Sequence, residues 1–196
     1  MLKVGITGGI GSGKSTVCKV FEVLGIPIYY ADDRAKYLMQ HDNVLIAKLK
    51  EAFGQEIYSG DKLNRALFAG KVFNNKYALE KLNQLVHPVV FKDAENWHKQ
   101  HSQYPYTLKE AALLIETGSY KQLDKLIVVD APETERIKRV MQRDGSTKEE
   151  VLARMKNQLS DTERMTVADY VIHNYAPHNL IEQVMPIHRE LMALSQ

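Results

Sequence analysis

Gly8-Gly9-Ile10-Gly11-Ser12-Gly13-Lys14-Ser15 places closely spaced glycines before an ammonium and a hydroxyl. The spacing is G-x-x-x-x-G-K-[ST], a phosphate-binding loop. Glycine admits backbone angles that a Cβ would forbid, so the chain can wrap an anion and point successive N–H groups at it. Lys14 is then placed to reach the β- and γ-phosphates of a nucleoside triphosphate, and the Ser15 hydroxyl to ligate Mg²⁺. Gly11, Ser12, Gly13, Lys14, Ser15 and Thr16 are the candidate ATP contacts, and Ser15 the candidate metal ligand. Thr16 continues into a helix whose N-terminus favours negative charge.

Phosphoryl transfer needs, besides this cradle, positive charge for the transition state and a carboxylate near the acceptor hydroxyl. Asp32 and Asp33 supply adjacent carboxylates just past the second expected strand, and alternation along a strand directs only one of them into a crevice. Glu116 and Asp130 follow apolar runs. Either could hold Mg²⁺ through water, orient the loop lysine or cap the next helix, and Asp130 before Ala131-Pro132 suits a cap. Arg136, Arg139 and Arg143 fall at i, i+3 and i+7 on one helix face, with Arg154 on the next helix. Arginines match phosphate oxygens bidentately and keep their charge. Asp144-Gly145 makes a hinge-like turn, so these helices could form a lid that excludes water. His87, before Pro88, is either a substrate ligand or a structural residue.

The elements that must position these groups read as follows. Lys3–Thr7 is a β-rich run feeding the loop. Val17, Val20, Phe21 and Leu24 recur at helical spacing until Gly25 and Pro27 stop the helix. Pro27–Tyr30 predicts a second strand. From Arg34 to about His101 the pattern is mostly helical, with Leu38, Leu45, Leu49, Phe53, Leu63, Leu67, Val72 and Phe73 as apolar positions and a break between Gly54 and Gly60. One helix leads into His87-Pro88 and a further one carries Val90, Ala94 and Trp97. Tyr104–Tyr106 reads as a loop. Ala111–Ile115, ending at Glu116, predicts a strand buried on both faces, as do Leu126–Val129 and Tyr170–Ile172. Two helices are expected between the last two strands, over Pro132–Arg143 and from a capping-box pattern at Ser146–Glu149, and a C-terminal one over His178–Leu194, kinked at Pro186. Apolar strands alternating with helices predict a parallel sheet covered on both faces, with Ser15, Asp32, Glu116 and Asp130 converging beyond its carboxyl edge.

A length of 196 residues suits one domain with a small inserted or mobile subregion. The net charge of +2 argues against nucleic acid as the main partner, and no apolar run reaches membrane-spanning length. Cys18 has no cysteine to pair with and reads as a small core residue. The N-terminus enters a strand directly, with no signal peptide, so a cytoplasmic setting is expected.

The ordered set Gly5–Thr16, Ala31-Asp32, Asn64-Arg65, Leu82-Asn83, His87-Pro88, Leu113–Glu116, Arg139 through Asp144, Gln158 and Ala168–Ile172 with Asn174 resembles the dephospho-CoA kinase family over nearly the whole chain. The resemblance implies a three-layer α/β fold of the P-loop nucleoside/nucleotide-kinase type. Its five-stranded parallel sheet would be built from about 1–32, 104–135 and 166–196, with a helical substrate-binding insertion at about 33–103 and a helical lid at about 136–165. It implies ATP-dependent phosphorylation of the ribose 3′-hydroxyl of dephospho-CoA, the last step of coenzyme A synthesis, with ATP and dephospho-CoA as the small-molecule partners and a monomer or weak homo-oligomer. Asp32 maps onto the family's catalytic aspartate, which selects it over Asp33. Lys14, Arg139 and Arg143 join it as catalytic residues. Lys36, Arg65, His87 and Glu116 become substrate-side residues, and Arg143 and Asn174 ATP-side ones, Asn174 opening the stretch near adenine. Lys36 stands where arginine is common, a point charge in place of a fork. Tyr175-Ala176 replaces a usual glycine, and the chain lacks the guanine-reading N-K-x-D tetrapeptide of GTP switches.

Overall fold

The structure, a computed structural model, describes residues 1–72 and 75–195. Phe73 lies outside the described residues. The chain divides into two compact units, one of Met1–Tyr30 with the chain from His98 onward, the other Ala31–Trp97.

The first unit is built on five parallel strands: β1 (Leu2–Thr7), β2 (Ile28–Tyr30), β5 (Tyr106–Glu110), β6 (Lys125–Asp130) and β7 (Tyr170–His173). Their order is β2-β5-β1-β6-β7, so β1 is central and the loop that follows it opens at the carboxyl edge of the sheet. Side chains alternate across the sheet. Ile127 and Val129 join Val4 and Ile6 on one face, where α1 (Lys14–Val23) and α9 (Leu180–Leu194) contribute Val17, Cys18, Phe21, Val184, Ile187 and Leu191. Leu126 and Val128 point the other way, onto Leu114, Ile115, Tyr120, Leu123 and Val167. Gly5 faces this second cluster, where a methyl group would press on Leu114, Leu123 and Leu126.

The third strand is not where the apolar run predicts it. Ala111–Ile115 forms turns, and β5 runs over Tyr106–Glu110, pairing Val4 with Leu108 and Ile6 with Glu110. The strand is polar in sequence yet buries Thr107 and Lys109. Thr107 is accommodated by its hydroxyl, 2.7 Å from His98 Nδ1. Leu114 still enters the core, but from a turn, so Glu116 does not close a strand.

Three helices, not two, separate β6 from β7: α6 (Glu133–Asp144), α7 (Lys148–Met155) and α8 (Asp161–Thr166). The capping box of α7 is Thr147 with Glu150, one residue later than the expected Ser146 with Glu149. Ser160 and Glu163 form a second box that starts α8. Helix α9 begins at Leu180 because the Asn179 side chain accepts from the Ile181 N–H.

In the second unit, α2 (Ala31–His41) leads directly into α3 (Asn43–Phe53), and the hairpin of β3 (Tyr58–Ser59) and β4 (Lys62–Leu63) joins α3 to α4 (Arg65–Val72); a 3-10 turn at Gln55–Ile57 and β3 occupy the Gly54–Gly60 break. Helix α5 (Lys76–Gln100) runs on from this unit without stopping at His87-Pro88. Proline removes one helical hydrogen bond. Val86, Val90 and Ala94 are all buried at a spacing of four, so one apolar stripe continues across Pro88.

Candidate functional site

The loop Gly8–Ser15 joins β1 to α1. Gly13, with φ 88°, is the N-cap of α1, and Gly11 is also left-handed at φ 80°. Neither position tolerates a side chain, because a Cβ on Gly11 would meet the Arg136 carbonyl and one on Gly13 the Asn174 amide. Glycine at both positions lets Arg136 and Asn174 pack directly on the loop, and the first-turn N–H groups of α1 supply the partial positive charge that an anion requires. Lys14 Nζ donates to the Gly8 carbonyl at 2.9 Å, inside the loop it is expected to serve. Ser15 and Thr16 are exposed in the first turn of α1.

Two sequence-distant residues hold the buried Ser12. Asn174 Nδ2 donates to the Ser12 carbonyl at 2.8 Å, and Arg139 Nη2 donates to the Asn174 carbonyl at 2.8 Å, with Nη1 at 3.5 Å from the Ser12 carbonyl. The Asn174 N–H in turn donates to Asp130 O at 2.8 Å, tying this group to the end of β6. Asn174 is thus a loop-holding residue by its side-chain contacts. Asp130 Oδ2 lies 3.1 Å from His173 Nδ1, so this carboxylate serves the β7 terminus and does not cap α6, whose N-cap is Pro132.

The arginines divide. Arg139 lies against the loop, whereas Arg143 is exposed and makes a bidentate pair with its neighbour Asp144, at 2.7 and 3.0 Å. Arg154 joins the same carboxylate at 3.0 Å, and these cations hold the Asp144 carboxyl below its ordinary range, Arg143 contributing most. Arg136, set aside in the resemblance, is only 4% exposed and bonded to Asp161 at 2.7 Å. Arg164, 2% exposed, bonds the other Asp161 oxygen at 2.7 Å and lies 3.9 Å from Glu116. Glu116 also accepts from the Leu159 N–H at 3.2 Å. Sequence reasoning missed Asp161 and Arg164. The signal that could have found their helix is Ser160-x-x-Glu163, a capping box.

The residues assigned to substrate lie mostly on the Ala31–Trp97 unit. Asp32 and Asp33 sit in the first turn of α2, not on a strand, so strand alternation does not choose between them. Asp33 is paired with Lys36 at 2.8 Å. Arg65 opens α4 and lines a groove of about 530 Å³ with Gln40, His41, Asp61, Lys62 and Leu63. His87 is exposed midway along α5. Among the described residues no three His, Cys, Asp or Glu side chains cluster as a metal cage, and no helix is long and apolar enough to cross a membrane.

A phosphate loop at the carboxyl edge of a central parallel strand, on a sheet of order β2-β5-β1-β6-β7, defines a P-loop kinase-like α/β fold. Residues 2–179 match the family description dephospho-CoA kinase. A dephospho-CoA kinase of Bacteroides fragilis is 35% identical over 95% of this chain and 91% of its own, and one of Salinibacter ruber 42% identical over 89% of each. Among solved structures, a protein of Thermus thermophilus superposes with TM-score 0.84 at 32% identity, covering 96% of each chain. A dephospho-CoA kinase of Campylobacter jejuni superposes at 0.73 with 25% identity, covering 99% of this chain and 98% of its own. The chain belongs to the dephospho-CoA kinase family, and it is an enzyme of the kinase class.

Proposed function

We propose that this chain transfers the γ-phosphoryl group of ATP to the ribose 3′-hydroxyl of dephospho-CoA, giving coenzyme A and ADP, with the following division of labour. The Gly8–Ser15 backbone cradles the phosphates. Lys14 leaves the Gly8 carbonyl for the β- and γ-phosphates and neutralises charge there. Asp32 accepts a hydrogen bond from the 3′-hydroxyl and takes its proton as the new oxygen–phosphorus bond forms and the bond to the ADP oxygen breaks. Arg139, beside the loop, supports the migrating charge, and Arg143 joins it when the exposed stretch around Arg143–Arg154 closes over the nucleotide, the rest of the expected 136–165 lid being packed against the loop at Arg136 and Arg164. Lys36, Arg65 and His87 receive the acceptor, and the groove lined by Lys62 and Arg65 offers cations to its phosphates. Glu116 is retained only as a support of the Leu159–Arg164 stretch, since its carboxylate faces those residues.

Mg²⁺ fits this donor set. A hard cation that keeps its waters is held by one or two protein oxygens plus substrate phosphates, and the exposed Ser15 hydroxyl at the start of α1 is such an oxygen. Mg²⁺ would supply charge neutralisation between the β- and γ-phosphates. The proposed setting is the cytoplasm.

The observation that carries this reading is the joint hold of Arg139 and Asn174 on Ser12, which fixes the loop in a phosphate-ready shape. It is tested by offering dephospho-CoA, adenosine, AMP, CMP and pantothenate side by side with ATP. Phosphorylation of dephospho-CoA at the 3′ position, well above the others, is expected. Preference for a nucleoside monophosphate would replace this acceptor with another.

A further inference from the structure

The loop glycines are not alike. Gly8, Gly11 and Gly13 have positive φ, at 155°, 80° and 88°, whereas Gly9 does not. Its backbone suits any residue. A methyl group built on Gly9 would instead overlap the guanidinium of Arg136 at Nη1 and lie 3.3 Å from Arg164 Nη1. Glycine is required here by what is packed outside the loop.

The packing is costly and well braced. Arg136 and Arg164 are almost fully buried, and Asp161 bridges them with one oxygen each at 2.7 Å. Nε of both arginines and Oε2 of Glu116 are buried among the described residues without a hydrogen-bond partner. An apolar pair would fill this space without desolvating charges, so mere packing does not account for the cluster. The next loop residue is held from the same side. The Ile10 N–H donates to Gln158 Oε1 at 2.9 Å, and Ile10 packs against the cluster of Ile137, Val140 and Val151 of α6 and α7. The chain between β6 and β7 thus contributes Arg136, Gln158 and Arg164 along one side of Gly9-Ile10.

We infer that Arg136, braced by Asp161 and Arg164, is a positioning residue for phosphoryl transfer: its guanidinium is the outer wall of the phosphate loop at Gly9 and fixes the path of the Gly9–Ile10 peptide. It touches neither substrate and acts through the loop. The inference rests on the reading that Gly8–Ser15 carries the triphosphate.

The test is a cycle of Gly9→Ala, Arg136→Ala and the double variant, read as kcat and as KM for ATP and for dephospho-CoA separately. Gly9→Ala should lower kcat/KM for ATP about tenfold or more, because a wall held by Asp161 cannot retreat from the methyl group. Arg136→Ala should lower it comparably, and both should leave KM for dephospho-CoA within about twofold. The double variant should be at least about threefold better than the product of the two losses, since the shortened side chain makes room for the methyl. Arg136→Lys should recover only part of the loss, because one ammonium cannot brace Asp161 and wall Gly9 together. If Arg136→Ala does not fold, Arg136→Gln takes its place in the cycle. A lowered melting temperature with unchanged KM for ATP and unchanged kcat per folded molecule would overturn the inference, as would strictly multiplicative losses. Lys14→Ala in the same assay separates the two claims: its full activity would remove the loop reading, whereas its inactivity beside a neutral Arg136→Ala would remove Arg136 alone.

Discussion

Asn174→Ala separates two roles for one residue. The resemblance puts Asn174 near adenine, whereas its amide donates to the Ser12 carbonyl at 2.8 Å. Removing it strips a buried carbonyl of its closest side-chain donor, and leaving such a group unmet costs about 1–3 kcal/mol. Arg139 Nη1, already 3.5 Å away, can close in and recover part of this, which sets the net effect at the low end, about 1–1.5 kcal/mol. At 1.4 kcal/mol per factor of ten, kcat/KM for ATP should fall roughly 5- to 12-fold. The loss acts on the loop and therefore on phosphates, so GTP, however poor a donor, should lose the same factor. The assay is initial-rate kinetics with both nucleotides at saturating dephospho-CoA. A loss confined to ATP, with GTP untouched, would refute the loop-holding role and return Asn174 to the base.

Lys14→Ala should fold and lose on the order of a hundredfold or more in rate, from lost charge stabilisation at the transferring phosphoryl; near-wild-type turnover contradicts the kinase chemistry assigned to the loop. Arg143 is exposed and paired with Asp144, so Arg143→Ala should move the melting temperature little while lowering turnover, and the stretch around Arg143–Arg154 should gain hydrogen-exchange protection with an ATP analogue. Equal protection in both states with full activity would make this stretch a static surface. Burial lowers the His188 pKa, and Nδ1 sits 2.7 Å from the Tyr106 hydroxyl. A base whose folded pKa is depressed binds more protons when unfolded, so stability should fall as pH drops below the ordinary histidine value of about 6.5. Melting curves from pH 8 to 5 check this, and His188→Gln should flatten the slope in that window.

The phosphate loop and the elements around it were legible because their signals are local. Loop glycines, a helix stopped at Gly25 and the continuous apolar run Leu126–Val129 each lie within one element. β5 was not, because Thr107 and Lys109 read as polar while the apolar Leu113–Ile115 beside them looks more strand-like than it is. Burial of Thr107 depends on His98, a partner on another element. The one-residue slip at α7 arose because Ser146 and Thr147 each have a glutamate three residues on, and only the fold chooses Thr147. The cluster behind Gly9 joins Glu116, Arg136 and the α8 pair Asp161 and Arg164 from three separate stretches, and no spacing rule connects those stretches.

The central claim is that Asp32, not its neighbour, serves the acceptor hydroxyl. Its most direct test is the single-turnover rate of 3′-phosphorylation of dephospho-CoA by Asp32→Asn and Asp33→Asn, with ATP binding followed in parallel. Proton acceptance and positioning together contribute about 10²–10⁴-fold, so Asp32→Asn should lose that much while binding ATP normally. Asp33→Asn, which gives up only an exposed pair with Lys36, should stay within a few-fold of wild type. A sensitive Asp33 beside an active Asp32→Asn would contradict the account.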